Sequence, residues 1–467
     1  MVIGSPGPAA LLRGATEVRS IDPVPDTERR GTVGRQGPFW FAFNVQPVSL
    51  ALGFVGPALG LSLGWTVIAS AAGLCVGNIF QAFHAIQGPQ LGLPQMIQSR
   101  AQFGYRGVLV PLVATLFTFL GYNIVNIALA KDGMHSLYGV NAAAVAVGVT
   151  AAGTVAAALG HDTLHTVFRV LFWLSLPLWV ALTVGVMVGR VPATASAPGG
   201  FTLLAFAAQF SVTASYGISG APFVSDYTRY LPRDTSPAAM IATVFIGNVA
   251  APLWLIPLGA WMALRLGVTD ALSGIAVAGN EALPLLGDAL VVLSMVMLAA
   301  LIAANTYSGV LTVVTAADSL WSVTPTRRLR VVATFGFASV SLFLGLVLAD
   351  STTLLDALLL IMLYLLVPWT AINLTDYFFL RRGHYDVAAL CTPDGVYGAW
   401  SAPGLLAYFV GVVAQLPFMV LPFFVGPAAV ALGRVDISFL VGLVVSATAY
   451  VVLAGRAGVA RGRLPNV

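Results

Sequence analysis

From Phe39 to the last apolar run, the sequence repeats one pattern: about twenty mostly apolar residues, then a short polar break. Twelve such runs lie near 39–63, 65–87, 108–130, 140–160, 165–189, 201–223, 237–264, 285–316, 331–349, 353–374, 403–425 and 437–455. That length is what an α-helix needs to cross the ~30 Å hydrocarbon core of a bilayer. Only 9% of the residues are charged, against roughly 25% in an ordinary soluble domain. So little polar surface cannot cover a soluble core of this size, and lipid has to be part of the solvent. Within lipid every backbone N–H and C=O must be satisfied by the protein itself, which leaves helices or closed barrels. Leu/Ala/Val-rich runs without alternating polarity do not read as barrel strands. The expected fold is an all-α membrane protein with twelve transmembrane helices, here called spans 1 to 12.

The basic residues give an orientation. With the N-terminus inside, 18 of the 22 Lys and Arg fall on one face, and only Lys131, Arg190, Arg265 and Arg434 on the other. The face rich in Lys and Arg is the cytoplasmic one, which places both termini in the cytoplasm and the protein in the plasma (inner) membrane. The arginines sit between apolar blocks rather than in a stripe, so the net charge of +4 does not argue for nucleic acid as a partner. Residues 1–38 carry five arginines and four acids and no apolar stretch long enough for a signal peptide. They read as a polar cytoplasmic tail, as do 456–467. Cys75 in an apolar run and Cys391 in a polar loop are expected to stay free thiols.

Two runs differ from their neighbours. Span 1 reads "FNVQPVSLALGFVGP" and span 6 reads "TASYGISGAPFVSDY". Gly and Pro at these positions release backbone groups from the helical ladder, which a membrane tolerates where the backbone lines a protein-walled cavity. Two interrupted runs, five apart, predict two five-helix halves of opposite topology, 39–189 and 190–374. A cytoplasmic loop, 375–402, and two extra helices in 403–455 follow. In such repeats the substrate sits at the breaks near the midplane.

Spans 3 and 8 are then counterparts, and each carries a carboxamide among apolar residues: Asn123 in "LFTFLGYNIVNIALA" and Asn305 in "LIAANTYSGV". An amide offers donors and an acceptor, so a pair can read the mixed edge of a planar heterocycle, as Asn and Gln read adenine in DNA. Phe119 lies one helical turn before Asn123 and could stack on a flat ring. Tyr216, just before the break in span 6, could supply a second ring. The competing explanation for each amide is an interhelical hydrogen bond, and for each ring it is plain packing.

At these residues the chain resembles the nucleobase–cation symporters, in particular the bacterial purine–cytosine permease branch. "GPQLGLPQMIQSRAQFGYRG", "APFVSDYTRYLP" and "NLTDYFFLRRGHYD" carry the resemblance, which runs from about 38 to 455. It implies the five-plus-five repeat and import of a nucleobase with a cation. It also implies a site built from an aromatic and an amide four residues apart in span 3 (matched by Phe119 and Asn123), an amide in span 8 (Asn305), an aromatic from span 6, and a polar contact from span 1. For the last, Asn44 and Gln46 are the candidates. Many relatives have Trp where Gly220 stands; Tyr216, one turn earlier, is the expected substitute. A sodium-coupled relative supplies hydroxyls five and six residues before the span 8 amide. Those positions here are Ala300 and Ala299, so two oxygen ligands are missing. The coupling ion, H+ or Na+, is therefore expected to be the proton.

Asp226, Arg229 and Arg381 fall at the inner face, where they could pair as a gate or simply fix orientation. "HDTLH", His161 to His165, has metal-like spacing but no third ligand nearby in sequence, so no metal and no cofactor is expected. A passive pore would need a continuous polar lining or rings of charge, and the spans show too little of either. No G-x-S-x-G, H-E-x-x-H or paired intramembrane acids suggest an enzyme. A carrier of allantoin or hydantoin, uracil, an amino acid or a vitamin precursor on the same fold is the nearer rival.

Overall fold

The computed structural model describes residues 20–195, 199–321, 323–324, 326–348 and 352–456. Most of the two tails, with Arg13, Arg19, Arg461 and Arg463, lies outside the described residues. All twelve expected places hold apolar helix. Spans 2, 3, 4 and 5 are Leu63–Ala85, Leu109–Tyr138, Ala142–Leu159 and His161–Met187. Spans 7 to 10 are Pro237–Leu266, Leu286–Trp321, Arg327–Leu348 and Thr352–Thr375, and span 12 is Ser438–Arg456. Span 11 is Ala402–Gln415, prolonged by the 3-10 turn Leu416–Phe418. It stops short of 425, because residues 420–425 instead form a small antiparallel hairpin pairing Val420 with Val425.

Both interrupted runs are broken helices. Span 1 divides into Val33–Asn44 and Pro47–Ala58, bent by 61°. Proline forces the residue before it out of the helical region, and Gln46 is extended at φ −152°, ψ 160°. The carbonyl freed at Asn44 accepts a 2.7 Å bond from Ser49 Oγ. Span 6 divides into Leu203–Ile218 and Val224–Thr228, with Gly220 and Pro222 in the gap.

Packing reproduces the repeat. Span 2 lies against spans 6 and 7, and span 7 against span 1, while spans 3, 4, 8 and 9 pack on one another. Span 5 bridges spans 1 and 8, and span 10 bridges spans 6 and 3. These two bridges map onto each other when 1 is exchanged with 6, 3 with 8 and 5 with 10. The first bundle is unusually close-packed: a Cβ on Gly77 would stand 2.2 Å from Ala214 O, so spans 2 and 6 meet backbone to backbone, as small residues permit in membranes.

Contacts between helix ends respect the alternation of faces. Arg30 N donates to Tyr230 O, and Arg100 pairs with Asp318 at 2.8 Å, all on the arginine-rich face. Tyr138 meets Asp288 and Ala195 N meets Arg265 O on the opposite one. The polar loop after span 2 folds as three short buried helices, Gln87–Leu91, Gln95–Gln98 and Arg100–Phe103. A twelve-residue helix that the sequence pattern did not suggest, Ala271–Ala282, follows span 7 in the chain and packs chiefly on span 8, with spans 5, 3 and 7 around it. Cys75 and Cys391 are free thiols.

Candidate functional site: an amide-lined chamber

The two breaks meet across a chamber of ~30 Å³, room for about one or two water molecules. Seven carboxamides line it: Asn44, Gln46, Asn78, Gln81, Asn126, Asn248 and Asn305. Phe43, Tyr122, Tyr216 and Phe223 supply the rings, and no charged side chain is in the wall.

Tyr216 organises the span 1 side. Its hydroxyl donates to Asn44 Oδ1 at 2.5 Å, accepts from Gln46 Nε2 at 3.1 Å and lies 3.1 Å from Ser49 Oγ. Asn44 Nδ2 in turn donates to Asn248 Oδ1 of span 7 at 2.9 Å. On the other side the Tyr122 hydroxyl meets Ser219 Oγ at 2.6 Å, and the Tyr122 and Tyr216 rings stand edge to face, 6.5 Å apart.

Gly220 lies in the wall with Gln81 beside it: a Cβ there would be 2.3 Å from Gln81 Oε1. Gln81 thus fills the place a larger residue at 220 would take. Two acceptor oxygens, Gln46 Oε1 and Asn126 Oδ1, are buried without a hydrogen-bond partner. Leaving such a group unpaired costs about 1–3 kcal/mol, which a ligand carrying N–H donors would recover.

The structure brings Asn44, Gln46, Tyr216, Gly220 and Asn305 together and leaves out two expected residues. Asn123 points away from the chamber. Its Nδ2 donates to Thr306 Oγ1 at 3.3 Å and Ser341 Oγ at 3.1 Å, binding span 3 to spans 8 and 9. Phe119, fully buried, packs its ring 5.6 Å from that of Phe223 and is not in the wall. The aromatic and amide of span 3 that do face the chamber are Tyr122 and Asn126, displaced by three residues and keeping the same four-residue spacing. Phe119 and Asn123 lie on the neighbouring face of the same helix. The same rule that singled out Asn305, an amide inside an apolar run, would have found Asn78, Gln81, Asn126 and Asn248 had it been applied to every span.

At the arginine-rich end, Asp226 Oδ1 accepts from Gln95 N at 3.1 Å. Arg229 Nη1 donates to Ser20 O at 2.6 Å. Arg381 Nε reaches Asp376 Oδ2 at 3.1 Å. Asp376 also accepts from Gln102, Tyr385 and Tyr450, so Arg381 belongs to a junction between the post-span-2 loop, span 10 and span 12.

Comparison with known proteins agrees with this architecture. Residues 23–442 match the family model described as permease for cytosine/purines, uracil, thiamine, allantoin. A Bacillus subtilis protein named "Putative purine-cytosine permease YxlA" is 32% identical over 94% of this chain and 95% of its own. The purine-cytosine permease fcyB of Emericella nidulans is 23% identical over 94% of this chain and 88% of its own. Among solved structures, Mhp1, a nucleobase-cation-symport-1 family transporter in a closed conformation with bromovinylhydantoin bound, superposes with a TM-score of 0.75. It is 18% identical and covers 94% of this chain and 95% of its own, a likeness of fold. The apolar helices, the paired breaks and the match over most of the sequence lead to one conclusion: the chain belongs to the family of membrane permeases for cytosine and purines, uracil, thiamine and allantoin.

Proposed function

We propose that this permease imports a nucleobase, cytosine or a purine, by symport with a proton through alternating access, with both termini in the cytoplasm of a plasma-membrane transporter. The observation that carries the substrate reading is the wall of the chamber: seven carboxamides, four aromatic rings and no charge. The wall offers no charged side chain to pair with the charges of a zwitterionic amino acid. A flat neutral heterocycle needs the mixed donors and acceptors that amides offer, and aromatic faces to lie on.

Asn126, Asn305 and Gln46 would read the edge of the base, with Tyr122 and Tyr216 flanking it. The chamber is smaller than a base, so spans 1 and 6 must move to admit one. The bundle of spans 1, 2, 6 and 7 would rock against spans 3, 4, 8 and 9. A proton gradient would supply the drive, with the membrane potential adding ~2.3 kcal/mol per charge per 100 mV. Ala299 and Ala300 in place of hydroxyl residues support proton over sodium.

The test is uptake of labelled cytosine, adenine, hypoxanthine, uracil and allantoin in cells lacking nucleobase transport. Accumulation of cytosine or a purine that collapses with a protonophore is expected. Uptake confined to allantoin or uracil would overturn the substrate reading, and uptake that needs sodium would overturn the coupling.

A further inference from the structure

A second, larger cavity opens at the arginine-rich end, with a volume of ~280 Å³. Three segments wall it. Arg30 comes from the stretch leading into span 1 and Arg35 from its first turn, His161, Asp162, His165 and Arg169 from the first turns of span 5, and Tyr230 from just beyond span 6. Three arginines therefore face one aspartate, and that aspartate is already 3.1 Å from His161 Nδ1. Among the described residues, Arg30, Arg35 and Arg169 form no ion pair with an acid. His165 Nε2 is buried without a partner in the same wall. Span 5 begins here after Gly160 with no side-chain cap, so the positive dipole end of a 27-residue helix adds to the field.

We propose that this cavity is a binding site for a phosphate monoester, and that its occupation holds the inner gate shut. Planar guanidinium groups suit phosphate oxygens bidentately, and basic pockets between transmembrane helices on the cytoplasmic side take phosphorylated head groups. Two of the walls, the entrance of span 1 and the segment after span 6, belong to the bundle that would rock, and the third, span 5, is the bridge from it to span 8. Span 5 packs on span 1 at one side and span 8 at the other, and the His165 ring stacks 4.2 Å from that of Phe39 in span 1. A dianion bridging Arg30 and Arg35 to Arg169 ties span 5 to the entrance of span 1. The gating half of the proposal rests on the transport reading above; the binding half does not.

The test uses the full protein in phosphatidylcholine nanodiscs, titrated calorimetrically with sn-glycerol 3-phosphate, which carries no base for the amide chamber to read. Saturable binding is expected, weakened about tenfold by R35Q or R169Q and unchanged by R382Q on the same face. In a parallel arm, phosphatidic acid replaces the soluble ester in the bilayer. If only this arm raises the melting temperature, and only with both arginines present, the phosphate is a lipid's and the site stands. If neither phosphate source distinguishes wild type from the R35Q/R169Q double variant, the site does not exist. In proteoliposomes the same ester on the arginine-rich side should slow substrate counterflow in wild type and not in the double variant. Binding with unaltered counterflow would overturn the clamp while leaving the site. Absence of counterflow with every nucleobase, despite binding, would sink the transport reading instead.

Discussion

The Tyr216 hydroxyl and Asn44 Oδ1 lie 2.5 Å apart, which joins the helical part of span 6 to the last helical residue before the break in span 1. The contact couples the two discontinuities at one atom, since the same hydroxyl accepts from Gln46 Nε2. Tyr216→Phe keeps the ring and leaves both amides without this partner. Each unpaired buried group costs about 1–3 kcal/mol. The apparent affinity for substrate, measured by concentration-dependent uptake, is expected to fall about tenfold or more, with surface expression retained. Unchanged affinity would show that the coupling of the two breaks does not shape the chamber.

Asn126 and Asn123 stand on different faces of a single helix. Asn126 offers an unpaired acceptor to the chamber, whereas Asn123 spends its donors on Thr306 and Ser341. Asn126→Ala should weaken substrate binding about tenfold or more while the melting temperature stays close to wild type. Asn123→Ala should lower stability by about 0.6–1.7 kcal/mol, the range of interhelical hydrogen bonds in membranes, with substrate affinity nearly kept. Equilibrium binding and thermal melting of the two variants side by side check both halves. The reverse pattern would restore Asn123 to the site.

This pair also shows where sequence reasoning runs out. The spans were legible because hydrocarbon imposes a length, and the breaks were legible because Pro47 and Pro222 cannot continue a ladder. The face of span 3 was not. Residues 119, 123 and 126 are all buried, because the helix is surrounded by spans 4, 8, 9 and 10, and a helix apolar on every side carries no stripe to mark its inner face. Phe119 with Asn123 and Tyr122 with Asn126 offer the same spacing, and only the packing chooses between them. The helix Ala271–Ala282 escaped for a related reason: at twelve residues it is too short to announce a span.

Gly220 sets the width of the chamber through Gln81. A methyl at 220 meets the far end of the Gln81 side chain, Oε1 at 2.3 Å and Cδ at 2.4 Å. The flexible amide can swing aside, so Gly220→Ala should fold with little loss of stability. The displaced amide should change which bases compete for uptake. Competition of labelled cytosine uptake by an unlabelled panel reads this directly. An identical competition profile in the variant would remove Gln81 from recognition.

Under the proposed proton coupling, replacing sodium with choline is expected to leave uptake unchanged, since Ala299 and Ala300 offer no oxygen to a cation. Ala299→Ser/Ala300→Thr would add two hydroxyls to that stretch of span 8. If these positions govern ion choice, the double variant should acquire a measurable sodium stimulation of uptake. Sodium dependence already present in the wild type would mean that the ligands come from elsewhere in the bundle.

Asp376 supplies the sharpest distinction between a gate and a fixed junction. It is fully buried and accepts from Gln102 Nε2 at 2.6 Å, Tyr385 at 2.8 Å, Tyr450 at 2.9 Å and Arg381 Nε at 3.1 Å. A carboxylate satisfied by four donors from the post-span-2 loop, span 12 and its own segment is costly to release, unlike an exposed pair worth ~0–1 kcal/mol. Asp376→Ala leaves Arg381 without its counter-charge. The loss should approach, without reaching, the ~3–5 kcal/mol of a fully buried broken pair, since the guanidinium side chain is 19% exposed. A marked fall in melting temperature and in the yield of folded protein is therefore expected, and Arg381→Ala should reproduce part of it. Were both variants as stable as wild type but altered in the rate of inward release, the pair would be a gate, as the inner-face charges first suggested.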